Sequence, residues 1–412
     1  MQITVLCKVV DNFGDIGVAW RLCRRLAKIQ SKYKICLVVD DWESFSKIED
    51  GLSRRLTAPR NDDSPVIASE AKQSISIDGI DIYPWNNNEL CHEVFSQNDG
   101  EKLSLILELF QCGRPDWMER ILFEEKLNRT VQIIMIDYLT AEKYAEDFHC
   151  LQSLTRSAKV QKVNFMPGFT EKTGGLVIDD GWSEIPEWNS EGPVLVFTYE
   201  NDWGELAAAL ADYCIVNSRK VLVAQGRGKD SFMQSFAKVV SSPSTNSETA
   251  ITFIEELPYL NQTEWDEMMK GCSALVIRGE ESMSRACLSG IPFIWHAYPQ
   301  SDEYQLVKVK ALLERMKRHF DEEDFDIVEK AWIAINTDSG LPRRCAPRND
   351  EILSEPTSLR DEGEANHSSD YTNFFNSLSR LVPGFQAFAA SIRKNGDLCA
   401  NLKTYIEQLD II

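Results

Sequence analysis

The sequence predicts an α/β fold in which parallel strands alternate with helices. Short apolar runs recur through both halves of the chain, and amphipathic segments lie between most of them. Glycine-bearing turns also join strands to the helices that follow them. With 412 residues the chain exceeds one ordinary core, so we expect about two domains.

The first half opens with an apolar strand at residues 3–10, followed by the acidic turn 11–17 and an amphipathic helix. In that helix apolar residues recur at the i, i+3, i+4, i+7 spacing of a buried stripe. Further strands are predicted at Ile35–Val39, Ile80–Tyr83, Leu103–Glu108 and Val131–Ile136. We therefore assign residues 1–180 to a first α/β domain.

The periodic pattern is lost in residues 174–187, which are rich in Gly, Asp and Glu, and we predict a linker at 181–192. A second α/β domain is expected over 193–393. Its predicted strands are 194–197, 220–224, 251–254, 274–277 and 292–295. A terminal helix within 394–412 is expected to pack back on the first domain.

Two polar segments are near-copies of each other, because residues 51–62 closely match residues 340–350. They lie far apart in surroundings that contain Pro and Ser, unlike the short regular period of a solenoid. We interpret both as insertions on surface loops that are poorly ordered, over about 53–76 and about 339–370. The alternative is a duplicated basic recognition loop.

Net charge and cysteine content indicate which partners and which cellular compartment suit the protein. The net charge of −20 opposes binding to nucleic acid or to an anionic membrane and favours a basic partner segment. The eleven cysteines are scattered and form no C-x-x-C pair, which is typical of reduced thiols rather than of disulfides or a zinc site. No apolar run approaches the roughly 18 residues of a membrane span. We expect a soluble, cytoplasmic protein.

The acidic turn 11–17 has the position of a phosphate-binding turn but the wrong charge. Glycines and helix N-termini commonly receive anions, whereas Asp11 and Asp15 would repel a pyrophosphate. The turn is therefore predicted to bind a cation or to handle a proton. The alternative is that Asp11 or Asn12 is only a helix cap and that Asp15 complements the helix dipole.

A second charged turn, Arg278–Ser282, directly follows the strand at 274–277 and precedes a helix predicted to begin near Met283. Ligands of open α/β sheets bind beyond the carboxyl ends of the strands, so both turns should face one crevice. Arg278 and Ser282 are suited to a diphosphate, and Glu280 or Glu281 to a sugar hydroxyl or a developing positive charge. The alternative is an exposed Arg–Glu pair.

A third group is aromatic and could hold a nucleobase. Phe197 and Tyr199 end one predicted strand, while Tyr259, Gln262 and Trp265 precede the helix that leads to Arg278. Core packing is the alternative for each ring. Residues 226–231 suggest a P-loop, but the motif fails because Val223 and Asp230 stand where it needs Gly and Ser or Thr.

Taken together, residues 10–22, 257–259, 278–282 and 295–300 closely resemble the bacterial elongation factor P (EF-P) arginine rhamnosyltransferase family, and the resemblance covers nearly the whole chain. It implies a GT-B architecture, with two Rossmann-like domains facing across a cleft. It also implies an inverting glycosyltransferase that moves L-rhamnose from dTDP-β-L-rhamnose to one arginine of EF-P, without a metal or other cofactor.

The resemblance implies a role for each turn. Asp15 matches the general base, Asp11 a second required aspartate, and Glu280 a required glutamate that we assign to orienting the sugar or stabilising an oxocarbenium ion. Asn12, Phe13, Gly14 and Gly17 complete the turn as substrate-binding residues. The implied donor pocket comprises Phe197, Tyr199, Tyr259, Gln262, Trp265, Arg278, Gly279, Glu281 and Ser282. Relatives have phenylalanine at positions 259 and 265 and aspartate at 281, so these positions depart from the family pattern.

Two other functions remain open on the sequence alone. A GT-B glycosyltransferase acting on a glycan or a small molecule would share the donor pocket but would not need paired aspartates. A non-catalytic protein that binds nucleotide sugars is the more distant alternative. The segments 110–115 and 165–169 are candidates for the surface that docks a protein acceptor.

Overall fold

The structure, a computed structural model, confirms the predicted α/β fold. It describes residues 1–10, 13–48, 74–96, 104–125, 127, 129–241, 253–300, 303–337 and 367–409. Within these residues the strands form two separate sheets, one from each half of the chain.

The first sheet has the strand order β3-β4-β2-β1-β5-β6-β8-β7, with β1 at its centre. Pairing is parallel except at the two edges, where β3 and β7 run antiparallel to their neighbours. The strands are β1 Gln2–Cys7, β2 Lys34–Val39, β3 Ile75–Ile77, β4 Ile80–Pro84, β5 Leu105–Leu109, β6 Val131–Ile136, β7 Gln152–Ser153 and β8 Val160–Phe165. The central strands are buried almost throughout, as expected when helices cover both faces of a parallel sheet.

Helix α1, Phe13–Ile29, follows β1 directly and packs its apolar stripe on the sheet. Trp20, Leu22, Cys23 and Leu26 are fully buried there, and each such side chain contributes about 1.5–3 kcal/mol of hydrophobic free energy. The other helices between these strands are α2 Trp42–Ile48, α3 Asn88–Ser96, α4 Asp116–Phe123 and α5 Tyr144–Phe148.

The second sheet is parallel, with the order β11-β10-β9-β12-β13. Its strands are β9 Val194–Val196, β10 Val221–Val223, β11 Ile254–Glu256, β12 Ala274–Arg278 and β13 Phe293–His296. Its helices are α6 Gly204–Asn217, α7 Lys229–Val240, α8 Gln262–Lys270, α9 Glu280–Ser289, α10 Tyr304–Lys317, α11 Glu322–Thr337, α12 Ser368–Asn376 and α13 Leu378–Arg393. The carboxyl ends of β9 and β12 lie side by side and carry Phe197 and Arg278.

The last helix, α14 Leu398–Gln408, returns to the first domain. Leu398, Leu402 and Ile406 are buried in the same core as β1 and α1. Asp397 anchors the return, since its carboxylate accepts from Arg25 Nε at 2.9 Å and from the Ile178 N–H at 2.9 Å. The chain therefore passes between the two domains twice.

The segment predicted as a linker packs against the second domain. Trp182, in a short 3₁₀ turn at Asp180–Trp182, is fully buried, and the Trp188 indole donates to the Ser273 carbonyl at 3.0 Å. A segment anchored by two tryptophans moves with the domain it contacts.

Several predicted boundaries are wrong. Strand β8 was not predicted because Gln161, Lys162 and Asn164 interrupt its apolar residues. Strand β11, Ile254–Glu256, extends two residues beyond its predicted end at Ile254 and pairs in register with β10, while residues 251–252 lie outside the described residues. The predicted insertions also extend too far. Residues 75–76 belong to β3, which pairs with β4, and residues 368–370 begin α12. Residues 53–73 and 339–366 of the predicted insertions lie outside the described residues.

Within the described residues, no helix is long and apolar enough to cross a membrane.

Candidate active site

A cavity of about 250 Å³ lies between the two domains. The first domain contributes the loop after β1 and the first turn of α1, and the second domain contributes the first turn of α9. Asp15, in that turn of α1, is only 2% exposed. Its carboxylate accepts a hydrogen bond from the Val10 N–H at 2.8 Å, which fixes it at the cavity wall. We call this space the acidic cavity, because Asp15, Asp137, Glu280 and Glu281 all line it.

Tyr138 is a residue of this cavity that the sequence did not reveal. It follows β6, and its hydroxyl group lies close enough to the Asp15 carboxylate to interact with its charge. Burial, with the negative charge of Asp15 beside it, raises the pKa of Tyr138 well above its usual value, so the phenol stays protonated at neutral pH. A protonated phenol can donate to Asp15 and hold the carboxylate in place.

The other residues of the acidic turn are less fully described. Asp11 and Asn12 lie outside the described residues, as does the side chain of Phe13. Gly14 lines the acidic cavity and also the neighbouring cavity, and the Gly17 carbonyl accepts a hydrogen bond from the Gln262 amide at 2.9 Å. The turn of α1 is thus in direct contact with the second domain.

Glu280 reaches the acidic cavity from the second domain. It is the first residue of α9, so that helix begins earlier than the predicted Met283. Lys308 Nζ lies 3.4 Å from Glu280 Oε1, and both side chains are largely buried. Lys308 was also missed by the sequence, because it lies on α10, one helix further along the chain.

A second cavity of about 130 Å³ adjoins the first and is lined mainly by residues predicted to bind a nucleotide. We call it the aromatic cavity. Its wall includes Phe197, Tyr259, Gln262, Trp265, Arg278, Gly279, Glu281 and Ser282. The predicted aromatic and charged residues therefore come together, and Tyr259 is the most exposed of them at 57%.

Arg278 is buried between two rings. Its guanidinium carbon lies 4.4 Å from the Phe197 ring centroid and 4.6 Å from that of Tyr199. Trp265 meets Phe197 edge to face at 5.1 Å. Cation–π contacts of this kind orient a guanidinium that is kept from water. Tyr199 itself is 5% exposed, and its ring packs between His296 and the Arg278 guanidinium.

Gly279 gives the turn its shape. It precedes α9 with φ of +72°, a conformation that strains any residue with a Cβ atom. The N-terminus of α9 lies at the aromatic cavity, which Gly279, Glu281 and Ser282 line. An arginine beside a helix N-terminus is a suitable arrangement for a phosphate group.

Glu281, predicted as a donor ligand, lines both cavities and also contacts the other domain. Arg21 Nε donates to its carboxylate at 2.6 Å, and the same guanidinium binds Asp266 at 2.7 and 3.0 Å and also Asp179. Burial lowers the pKa of Arg21, but Glu281 and Asp266 raise it by more, so this cation stays charged. A fully buried arginine requires carboxylate partners, and Glu281 is one of the three that surround Arg21.

Residues 3–407 match the family model described as elongation factor P (EF-P) rhamnosyltransferase EarP. The chain belongs to this rhamnosyltransferase family. As a member of it, the chain is a glycosyltransferase, and the two cavities are its candidate substrate sites.

Similar proteins bear the name protein-arginine rhamnosyltransferase. The one from Shewanella oneidensis is 28% identical over 337 residues, which cover 75% of this chain and 79% of the relative. The one from Pseudomonas aeruginosa is 26% identical over 361 residues, covering 82% and 87%. A solved structure on EarP-mediated arginine glycosylation of translation elongation factor EF-P covers 99% of each chain at 16% identity, with a TM-score of 0.47.

Proposed function

We propose that this rhamnosyltransferase moves L-rhamnose from dTDP-β-L-rhamnose to an arginine side chain of EF-P, with inversion at the anomeric carbon. The family match supports the reaction class and the acceptor protein. One observation carries the proposal for this chain: the acidic and the aromatic cavity adjoin, and Gly14 and Glu281 line both. A cationic acceptor and an anionic donor can therefore meet at their boundary.

The donor nucleotide is proposed to occupy the aromatic cavity. Thymine would stack on the exposed ring of Tyr259 and on Trp265, and the diphosphate would lie against Arg278 and the N-terminus of α9. As the bond to the leaving phosphate breaks, negative charge grows on dTDP. Arg278 and the helix N-terminus stabilise that charge in the transition state, so the proposed reaction needs no metal ion.

The acceptor guanidinium is proposed to enter the acidic cavity. One of its nitrogens attacks the anomeric carbon from the face opposite dTDP, and the C–N bond forms while the C–O bond to phosphate breaks. The electron pair of that bond leaves with dTDP, and Asp15 takes the proton from the attacking nitrogen. Because the product is still a guanidinium, proton removal need not precede attack. Asp11, outside the described residues, stays a prediction as the second carboxylate.

Glu280 is proposed to act on the sugar. Its carboxylate lines the acidic cavity and follows directly on Gly279, which lines the aromatic cavity. There it can accept a hydrogen bond from a sugar hydroxyl. It can also stabilise positive charge at the anomeric carbon as an oxocarbenium ion develops. Lys308 Nζ lies 3.4 Å from this carboxylate.

The partner and the compartment are also proposed. A net charge of −20 favours a basic segment on the acceptor protein. The described cysteines are free thiols and most are buried, which supports a reducing compartment such as the cytoplasm.

The test is to incubate the protein with dTDP-β-L-rhamnose and EF-P and to measure the intact mass of EF-P. A gain of one deoxyhexose is expected, located on an arginine by fragmentation. An unchanged mass would overturn the proposal. If EF-P is unchanged but donor is consumed with a glycan or small-molecule acceptor, the alternative of a glycosyltransferase with a different acceptor is correct.

A further inference from the structure

We propose that Phe110, Asp137 and Tyr138 form a binding subsite for the acceptor guanidinium. This inference rests on the proposed function. It adds residues outside the two charged turns, 11–17 and 278–282. The loops that follow β5 and β6 contribute them. All three residues line the acidic cavity, and all three are only partly buried.

The aromatic part of the subsite is a stacked pair. The rings of Phe110 and Tyr138 are nearly parallel, at 19°, with centroids 4.5 Å apart. The Phe110 N–H donates to the Ile136 carbonyl at 2.8 Å, which fixes the two loops side by side. A planar cation such as a guanidinium is attracted to the face of such a ring when water is excluded.

The backbone at this wall is held in an unusual conformation. Phe110 and the next residue, Gln111, both have φ of +53°, a region that side-chain-bearing residues seldom occupy. Such conformations persist only where the surroundings hold them, and they cluster at ligand sites. Here the Gln111 amide donates to Asp137 at 2.8 Å, so the same loop places both the ring and the carboxylate.

The charges of the cavity favour a cation at this wall. Glu280 has Lys308 beside it, and Glu281 has Arg21. Asp137 accepts hydrogen bonds from two neutral groups, the Gln111 amide and the Tyr138 backbone N–H, and Asp15 accepts one from the Val10 backbone N–H. A carboxylate such as that of Asp137, held by neutral donors, is a suitable hydrogen-bond partner for a guanidinium.

Tyr138 has two separable functions in this arrangement. Its ring belongs to the wall, whereas its hydroxyl positions Asp15, the proposed base. The ring should therefore affect how well the acceptor binds, and the hydroxyl should affect how fast the bound acceptor reacts. Tyr138→Phe removes only the second function.

The experiment measures kcat and KM for EF-P and the affinity for dTDP in four variants. Phe110→Leu and Asp137→Asn are expected to raise the KM for EF-P by about tenfold, and Tyr138→Phe to lower kcat by about tenfold with an unchanged KM. Phe148→Leu is the matched control, since Phe148 is an exposed residue of the same domain. All four variants should bind dTDP as the unchanged protein does, which also verifies that they fold.

The possible failures are distinct. If the unchanged protein does not modify EF-P, the proposed function is wrong. If it does, but Phe110→Leu and Asp137→Asn have the KM of the Phe148→Leu control, the subsite is wrong while the function stands. A Tyr138→Phe variant with the kcat of the unchanged protein would refute the positioning role of the hydroxyl. A loss of dTDP affinity in the Phe110 or Asp137 variant would assign this wall to the donor instead.

Discussion

Arg21 and Glu281 join the two domains across the cleft, with the guanidinium Nε 2.6 Å from the carboxylate oxygen. The same guanidinium also binds Asp179 and Asp266, so one buried cation holds three carboxylates from separate parts of the chain. The relative position of the domains, and hence the boundary between the two cavities, depends on this cluster.

Replacing Arg21 with Met should destabilise the protein strongly, because three largely buried carboxylates would lose their cation. We expect the free energy of unfolding to fall by about 3–5 kcal/mol, which chemical denaturation can measure. Arg24→Met is the matched control on the same helix, where the side chain is 43% exposed and lies 3.9 Å from Asp78. Equal stability of the two variants would contradict this role of the cluster.

Replacing Asp15 with Asn should abolish transfer while leaving donor binding intact. The amide keeps the shape of the side chain but cannot take a proton, so we expect a loss of at least about 100-fold in the rate of EF-P modification. Intact-mass measurement gives the rate, and calorimetry gives the dTDP affinity. Asp147→Asn, an exposed site in the same domain, controls for the charge change. A large loss of dTDP affinity would mean that Asp15 acts on the donor.

Replacing Arg278 with Lys keeps the charge but loses the planar group that stacks between Phe197 and Tyr199. We expect dTDP to bind at least about tenfold more weakly, equivalent to about 1.4 kcal/mol. Arg227→Lys, an exposed arginine in a nearby loop, should leave dTDP affinity unchanged. If Arg227→Lys weakens dTDP binding and Arg278→Lys does not, the segment 226–231 holds the phosphates.

His296 should make the protein less stable in mild acid. Burial, together with repulsion from Arg278, lowers the pKa of His296 from 6.5 to about 3. At pH values between these two pKa values, His296 therefore binds a proton in the unfolded chain but not in the folded chain. Stability is full above pH 6.5 and falls by up to about 1.4 kcal/mol per pH unit as the pH drops below it.

The measurement compares denaturation curves at pH 7, 6 and 5 for the unchanged protein and for His296→Phe. Phenylalanine preserves the ring contacts with Tyr199 and Trp203 but cannot be protonated. The variant should lose less stability between pH 7 and pH 5. If both proteins lose the same stability between pH 7 and pH 5, His296 is charged or exposed in the folded state.

The sequence predicted those features that depend on neighbouring residues. Strand β12, the turn at Gly279 and the cation at Arg278 are contiguous, so an apolar run followed by glycine and charge was enough to predict a ligand site. The Arg21–Glu281 contact could not be predicted, because the two residues lie 260 positions apart and each has the pattern of an ordinary helix residue. Tyr138 was missed for the same reason, since its contact with Asp15 arises only when β6 lies two strands from β1 in the sheet.

The return of α14 to the first domain reverses the order in which the two domains can be completed during synthesis. The core around β1 needs Leu398, Leu402 and Ile406, whereas, in the part of the chain that the structure describes, the buried residues of the core around β9 lie between positions 141 and 392. As the chain leaves the ribosome, the second domain has all of its core residues while the first still lacks a helix. The domain that is translated first is therefore the last to close, and the nascent chain carries an incomplete apolar surface until its final helix emerges.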